Sequence, residues 1–160
     1  MRTAGPMAFD QETRDLIEQS VLCWLATANE VGEPSVSPKE LWGVSGPDCL
    51  VIAEIASPNS LANIKKQPRV CVSFIEIFKQ KGRKLYGEAA ILSPDNPDFH
   101  RLGADVIARA GERFVVRHLI HLRVDRVATI VAPSYRLFSD TDEAKMAEEA
   151  HATYGVMPRP

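Results

Sequence analysis

Several features that would point directly to a function are missing from this chain of 160 residues. It carries 19 basic and 21 acidic side chains, a net charge of −2, so no overall positive field indicates a nucleic-acid partner. No apolar run approaches the roughly 20 residues that span a bilayer, and Met1–Asp10 lacks the apolar core of a signal peptide. We therefore predict a protein that binds neither nucleic acid nor membrane.

Cysteine is scarce and irregularly spaced. The chain has three cysteines, an odd number, and their spacing is not typical of a metal site; they are Cys23, Cys49 and Cys71. Each lies in or beside an apolar segment, which favours small buried side chains over metal ligands. Because reduced thiols are typical of the cytosol, we expect a cytoplasmic protein.

Phosphate-binding and catalytic motifs are absent as well. The nine glycines are scattered and form no glycine-rich loop, and no paired nucleophile and base indicates hydrolase chemistry. His118 and His121 lie three residues apart in a strand-like segment, so we expect them on opposite faces, where they do not chelate one metal. No metal site is predicted.

What is present indicates one mainly β domain over residues 1–160, with 45% hydrophobic residues to build a core. Six or so apolar segments recur at intervals of roughly 8–12 residues, which is typical of a small antiparallel barrel with short helices. We expect residues 1–9 to be a flexible N-terminus and residues 140–160 to form a C-terminal helix and tail. The predicted strands are 21–28, 35–44, 49–55, 69–77, 85–92 and 115–130, the last one strand or two. The predicted helices are 10–19, 60–67, 98–110 and 140–151.

Local signals refine these predictions. Pro34 and Pro38 indicate an edge or a bulge near Lys39, because proline lacks the N–H of a central strand. Gly87 is expected to break the fifth strand, and Asp125-Arg126 to interrupt the last.

The segment Leu50–Glu76 contains a candidate anion site. A strand is followed by the polar break Ser57–Ser60, a short helix that Pro68 ends, and a second strand. The free N–H groups and the dipole at a helix N-terminus favour an anion, and the hydroxyls of Ser57 and Ser60 add donors. A simple capped helix accounts for the same residues equally well.

Two polar segments flank this break. Ser35, Ser37 and Lys39 alternate along a strand and so share one face, which fits either a wet outer strand or a ligand-binding surface. The basic run Lys79–Lys84 contains a predicted charged turn at 79–82, just before the next strand. It fits a plain hairpin loop or a phosphate clamp, in which Arg83 offers the better fork of donors.

Together these segments carry a resemblance to a known family. The order is PxVxxK at residues 34–39, SPNSLANIKKQPRVxVxF at residues 57–74, a basic hairpin, and YGxA at residues 86–89. It resembles the pyridoxamine 5′-phosphate oxidase-like, FMN-binding split-barrel family, and in particular its general-stress branch. The resemblance covers about Leu16 to Ile130 and implies a Greek-key-like split barrel.

The resemblance also implies a homodimer that binds FMN at the subunit interface and acts as an oxidoreductase on an unknown small molecule. Ser37, Pro38 and Lys39 would run along the flavin ring, with Ala53, Glu54, Ile55 and Ala56 flanking the ring and ribityl chain. Ser57, Ser60 and Asn63 would approach the phosphate, with Lys65, Lys81, Arg83 and Lys84 as basic partners. Alternatives within the fold are a deazaflavin-dependent reductase and a non-catalytic flavin- or haem-binding stress protein.

The chain departs from the true oxidase at three places. Members closest to that enzyme have a basic pair where Asn59-Ser60 stands and an arginine in place of Pro34. The oxidase's C-terminal Trp-and-Arg signature is missing after Ile130. Oxidation of pyridoxamine 5′-phosphate itself is therefore not expected.

Overall fold

The computed structural model of the chain describes residues 8–157, which form seven strands and five helices. The strands are β1 (Cys23–Ala28), β2 (Pro34–Lys39), β3 (Trp42–Ser45), β4 (Cys49–Glu54), β5 (Arg69–Glu76), β6 (Lys81–Leu92) and β7 (His118–Val131). The helices are α1 (Gln11–Gln19), α2 (Pro58–Lys66), α3 (Pro97–Ala110), α4 (Ser134–Leu137) and α5 (Glu143–Tyr154). All strands pair antiparallel in one sheet of order β2-β1-β5-β6-β7-β4-β3.

The sheet curls so that its two edge strands are consecutive in the chain. β2 pairs with β1 at one edge and β3 with β4 at the other, yet only Glu40 and Leu41 separate β2 from β3. The backbone N–H of Ala53 donates to the Leu41 carbonyl at 2.9 Å, which fixes this link against β4. The predicted mainly β, split-barrel fold is confirmed.

The single strand predicted at 35–44 is wrong, because the chain turns from one sheet edge to the other within it. Pro34 and Pro38 lie in β2, where the free edge leaves no ladder partner for a missing N–H. The edge indicated by these prolines is therefore correct, and the division into two strands accounts for the count of seven.

A bulge unites two of the predicted irregularities. The register between β6 and β7 shifts between Tyr86 and Gly87, which leaves Asp125 without a partner on β6. A Cβ atom at position 87 would overlap the carbonyl oxygen of Arg123, so glycine is needed where the strands approach. The segment predicted as one strand or two is the single bent strand β7.

Two apolar cores flank the sheet. The barrel interior is filled by fully buried side chains that include Leu25, Phe74 and Leu85. On the outside of β4 and β7, α3 packs Phe99 and Val106 into a second core. Each core is formed by alternate residues of the strands.

Helix α1 closes one end of the barrel. Asp10 caps the helix by accepting the Thr13 N–H at 2.8 Å. Ile17, on the inner face of the helix, is buried in the barrel core. The indole N–H of Trp42 donates to the Ile17 carbonyl at 3.0 Å and so ties the helix to β3.

The chain ends differ in detail from prediction. Phe9 is buried in the core, whereas residues 1–7 of the predicted flexible N-terminus and residues 158–160 of the tail lie outside the described residues. Asp142 caps α5, which begins at Glu143 rather than at the predicted residue 140. Among residues 8–157, no helix is both long and apolar enough to cross a membrane.

Candidate functional site

A cavity of about 210 Å³, here called cavity A, opens where the β2–β3 link meets the end of β4. Its lining includes six of the predicted site residues, three of them in the segment that leads from β4 into α2. The lining residues are Pro38, Lys39, Glu40, Leu41, Ala53, Ile55, Ala56, Ser57 and Phe114. The topology thus brings together two segments that the sequence pattern singled out separately.

Lys39 is the only predicted cation that lines cavity A. Its residue is 6% exposed, and its ammonium donates to the Ser57 hydroxyl at 2.6 Å. Burial lowers the pKa of Lys39, because desolvation disfavours the charged form, while the nearby Glu54 carboxylate acts in the opposite direction. The polar face of β2 therefore ends in a buried lysine rather than on a wet outer surface.

Glu54 connects this lysine to a histidine. The carboxylate belongs to a residue that is only 2% exposed, and one of its oxygens accepts the backbone N–H of Ser57. Its other oxygen lies 3.5 Å from Nδ1 of His118, the residue opposite Glu54 in the β4–β7 register. Hydrogen bonds thus link Lys39, Ser57 and Glu54, and His118 faces the far oxygen of Glu54; these four residues are here called the polar chain.

The start of α2 combines features for and against anion binding. Ser57 occupies the N-cap position, but its side chain makes no capping bond; its hydroxyl accepts from Lys39 instead. Amides of the first turn therefore lack a side-chain partner at this cap, which favours an external anion. The amide of Ser57 itself is already taken by the Glu54 carboxylate.

The predicted phosphate residues further along α2 do not line cavity A. Ser60 and Asn63 are buried, and the Asn63 amide donates to the Thr27 hydroxyl at 2.9 Å. Asn63 thus ties the helix to β1. Ser37 is half-buried in β2 and is likewise outside the cavity lining.

The charged turn predicted at 79–82 ends earlier in the structure, at Gln80, because β6 already begins at Lys81. Lys81 pairs with Glu143 at 2.8 Å, and Arg83 pairs with Glu12 at 2.6 Å. Neither lines cavity A. Both predicted phosphate partners are thus neutralised by carboxylates of the terminal helices.

Glu143 also binds Lys79 at 2.8 Å. Hydrogen bonds from Lys79 and Lys81 lower the pKa of the Glu143 carboxyl to about 2. This pairing was invisible in the sequence because 62 residues separate Lys81 from Glu143.

A second cavity, here called cavity B, contains Lys65. It has a volume of about 460 Å³ and is lined by Ile64, Lys65, Ala89, Ile91, Ser93 and His118. His118 was not among the predicted site residues, because its spacing from His121 does not suit a metal site. The signal that would have found it is its register opposite Glu54, which depends on the strand pairing.

The outer face of the sheet carries exposed apolar side chains. Trp24 is 42% exposed and Val36 is 60% exposed, although neighbouring residues of β1 point into the core. Trp24 lies beside Pro38 and Ser73, and Ser73 lies beside Lys84, so these side chains share one face. Lys84 therefore points away from the barrel interior.

Comparison with known proteins gives one family match. The sequence model of the family described as pyridoxamine 5′-phosphate oxidase matches residues 9–131. A search of curated proteins finds no match.

Solved structures share the fold at low sequence identity. An FMN-binding protein from Syntrophomonas wolfei has a TM-score of 0.66 and 14% identity, covering 76% of this chain and 86% of that one. General Stress Protein 26 from Bacillus anthracis has a TM-score of 0.60 and 16% identity, covering 75% and 92%. HutZ, the heme storage protein from Vibrio cholerae, has a TM-score of 0.55 and 20% identity, covering 78% and 95%.

Proposed function

The chain belongs to the pyridoxamine 5′-phosphate oxidase family, and on that premise we propose that it binds FMN at cavity A and acts as a flavin-dependent oxidoreductase on a small molecule. When bound, FMN supplies the electron-transfer chemistry. The observation that carries the proposal is the buried Lys39 beside the uncapped start of α2.

The residues of cavity A suit different parts of this cofactor. Ala53, Ile55 and Ala56 offer small and apolar contacts for a flat ring, and Lys39 offers a positive charge at one edge. A buried cation beside the ring would favour negative charge on it, because charges interact more strongly away from water. The first-turn amides of α2 would bind the phosphate.

The size of cavity A supports a site shared between two copies. Its volume of about 210 Å³ is below the roughly 300 Å³ at which ligand pockets usually begin, so one protomer offers only part of a cofactor site. The exposed Trp24 and Val36 lie on the face that also carries Pro38. We propose that this face forms a homodimer interface, with Lys84 completing the site of the other copy.

Titration with FMN tests the cofactor. We expect quenching of flavin fluorescence with one FMN bound per chain, and Lys39→Met should weaken binding about tenfold to a hundredfold, the usual range for a charge-assisted contact. Lys81→Met is the matched control and should stay within twofold, since Lys81 is paired with Glu143. Absence of flavin binding to the wild-type chain would exclude the proposal.

Sedimentation tests the interface. We expect the wild-type chain to sediment as a dimer and Trp24→Glu to sediment as a monomer with reduced FMN affinity, because a charge on an apolar interface is costly. Val21→Glu is the control, since Val21 is 83% exposed and lies before β1. A dimer that survives Trp24→Glu would place the interface elsewhere.

Competing cofactors are separated by direct comparison. A parallel titration with a deazaflavin decides between the two flavin types, and reduction of bound FMN by a nicotinamide donor decides between an enzyme and a carrier. Haem is the second candidate, because one structure of similar fold is a heme storage protein. A Soret band that is lost in His118→Ala or His121→Ala would support it.

A further inference from the structure

Cavity B has no role in the function proposed above. It is joined to cavity A by Glu54, since one carboxylate oxygen accepts from Ser57 in the lining of cavity A. The other oxygen faces His118 in the lining of cavity B. The two cavities therefore share one buried carboxyl group while presenting different side chains to a ligand.

The backbone of the adjoining residue fixes the position of His118. The N–H of the preceding residue, Arg117, donates to the Glu54 carbonyl at 3.0 Å and fixes the start of β7 against β4. Nδ1 of His118 is buried and has no hydrogen-bond partner among the described residues, although a Glu54 oxygen lies 3.5 Å away. Because the side chain is still 33% exposed, the rest of the ring is left to face cavity B.

Lys65 supplies the second polar group of cavity B. No ion pair of Lys65 occurs within residues 8–157, in contrast to Lys66, which lies 3.8 Å from Glu30. The Ser93 hydroxyl donates to Asp95 and so provides no donor. Lys65 and His118 are thus the two side chains of cavity B that can donate to an anion.

The remaining wall is apolar. Ile64 comes from α2, and Ala89 and Ile91 come from β6, so hydrocarbon surface lies beside the two donors. Ala89 is the smallest of the three and leaves room that a larger side chain would fill. This combination suits a ligand with a negatively charged end and a short hydrocarbon part.

We propose that cavity B is a second binding site, for a small aliphatic carboxylate that contacts Lys65 and His118 with its oxygens and Ile64, Ala89 and Ile91 with its hydrocarbon. One Glu54 oxygen lies 3.5 Å from Nδ1 of His118, so the ligand would contact the other ring nitrogen, Nε2, which donates when it carries a proton. The site is formed by residues of one chain and needs no flavin in cavity A.

The test uses the full chain without added flavin and titrates it with acetate, propionate and butyrate while the imidazole signals are followed by NMR. We expect a saturable shift of the His118 signal, with His121 unmoved, and affinity rising about threefold to fourfold with each added methylene. Butyramide, which lacks the charge, should bind at least tenfold more weakly than butyrate.

Variants separate the site from non-specific charge. Lys65→Gln and His118→Gln should each weaken butyrate binding at least fivefold, and Ala89→Leu should abolish it by filling the cavity. Lys66→Gln and His121→Gln are the matched controls and should stay within twofold. Equal binding of butyramide, equal effects of Lys65→Gln and Lys66→Gln, or no saturation up to high millimolar butyrate would each overturn the proposal, whatever the outcome of FMN titration.

Discussion

The cations predicted to bind a ligand lie in two regions of the molecule, and their environments differ: one region buries its cation, and the other leaves its cations exposed in ion pairs. In the polar chain, Lys39 is buried and donates to a neutral hydroxyl, with Glu54 beyond it. At the start of β6, Lys81 pairs with a partly exposed carboxylate in water. Two lysines thus interact with their neighbours at different strengths, because a charge interaction is stronger away from water.

The difference shows why a count of cations did not locate the site. An exposed ion pair contributes little to stability, since water already solvates both partners. A buried charge must be compensated by groups within the protein. Removal of one member of such a pair therefore lowers the stability strongly. We therefore expect Lys39 alone to contribute more to stability and ligand binding than the exposed cations of the basic run.

The largest expected contrast is in stability. Lys39→Met should lower the free energy of unfolding by about 3 kcal/mol, because the Glu54 carboxylate stays buried without its compensating cation. Lys81→Met should lower it by less than about 1 kcal/mol. Urea denaturation at neutral pH measures both values.

A double variant sharpens this result. Glu54→Gln removes the uncompensated charge, so Lys39→Met/Glu54→Gln should be more stable than Lys39→Met alone. If Lys39→Met and Lys81→Met cost the same, the contrast between the two regions would be wrong.

An intermediate effect is expected from alkaline pH. The pKa of Lys39 lies below its ordinary value of 10.5, so this lysine loses its charge at a lower pH than exposed lysines do. FMN affinity should fall about tenfold as the pH rises through that lowered pKa. Fluorescence titration over a pH series measures it, and Lys39→Met should show a flat profile in the same range.

The smallest effect is expected at Glu143. Its folded pKa of about 2 lies below the ordinary 4.5, so its contribution is complete above 4.5 and is lost as the pH falls toward 2. Because both partners are substantially exposed, Glu143→Gln should cost less than about 1 kcal/mol at neutral pH. Thermal unfolding at pH 7 and pH 3 should show the difference between wild type and variant shrinking in acid.

Local patterns carried the prediction of the fold further than that of the site. The apolar segments, the helix after Ser57 and the interruptions at Gly87 and Asp125 follow from short-range chemistry and are present in the structure. The passage from β2 to β3 was missed, because strand propensity alone does not say which neighbour a strand pairs with.

The site depended on distant partners. Lys39 and Ser57 are 18 residues apart, and Glu54 meets His118 only through the register of β4 and β7. The motif placed Lys39 and Ser57 near one ligand, and cavity A contains both. Arg83 was predicted to contact the same ligand, but it pairs with Glu12 of α1 instead. The motif could not reveal this pairing, because the two residues lie far apart in the sequence.

The link of Glu40 and Leu41 has a mechanical consequence for cavity A. Because three peptide units join Lys39 to Trp42, the two edges of the sheet can separate there by no more than about 11 Å, even when the chain is fully extended. The link thus limits the distance between the two sheet edges, and the hydrogen bond from Ala53 to the Leu41 carbonyl holds it to β4. The two sheet edges therefore stay close together beside cavity A, and ligand binding there cannot widen the barrel at this point.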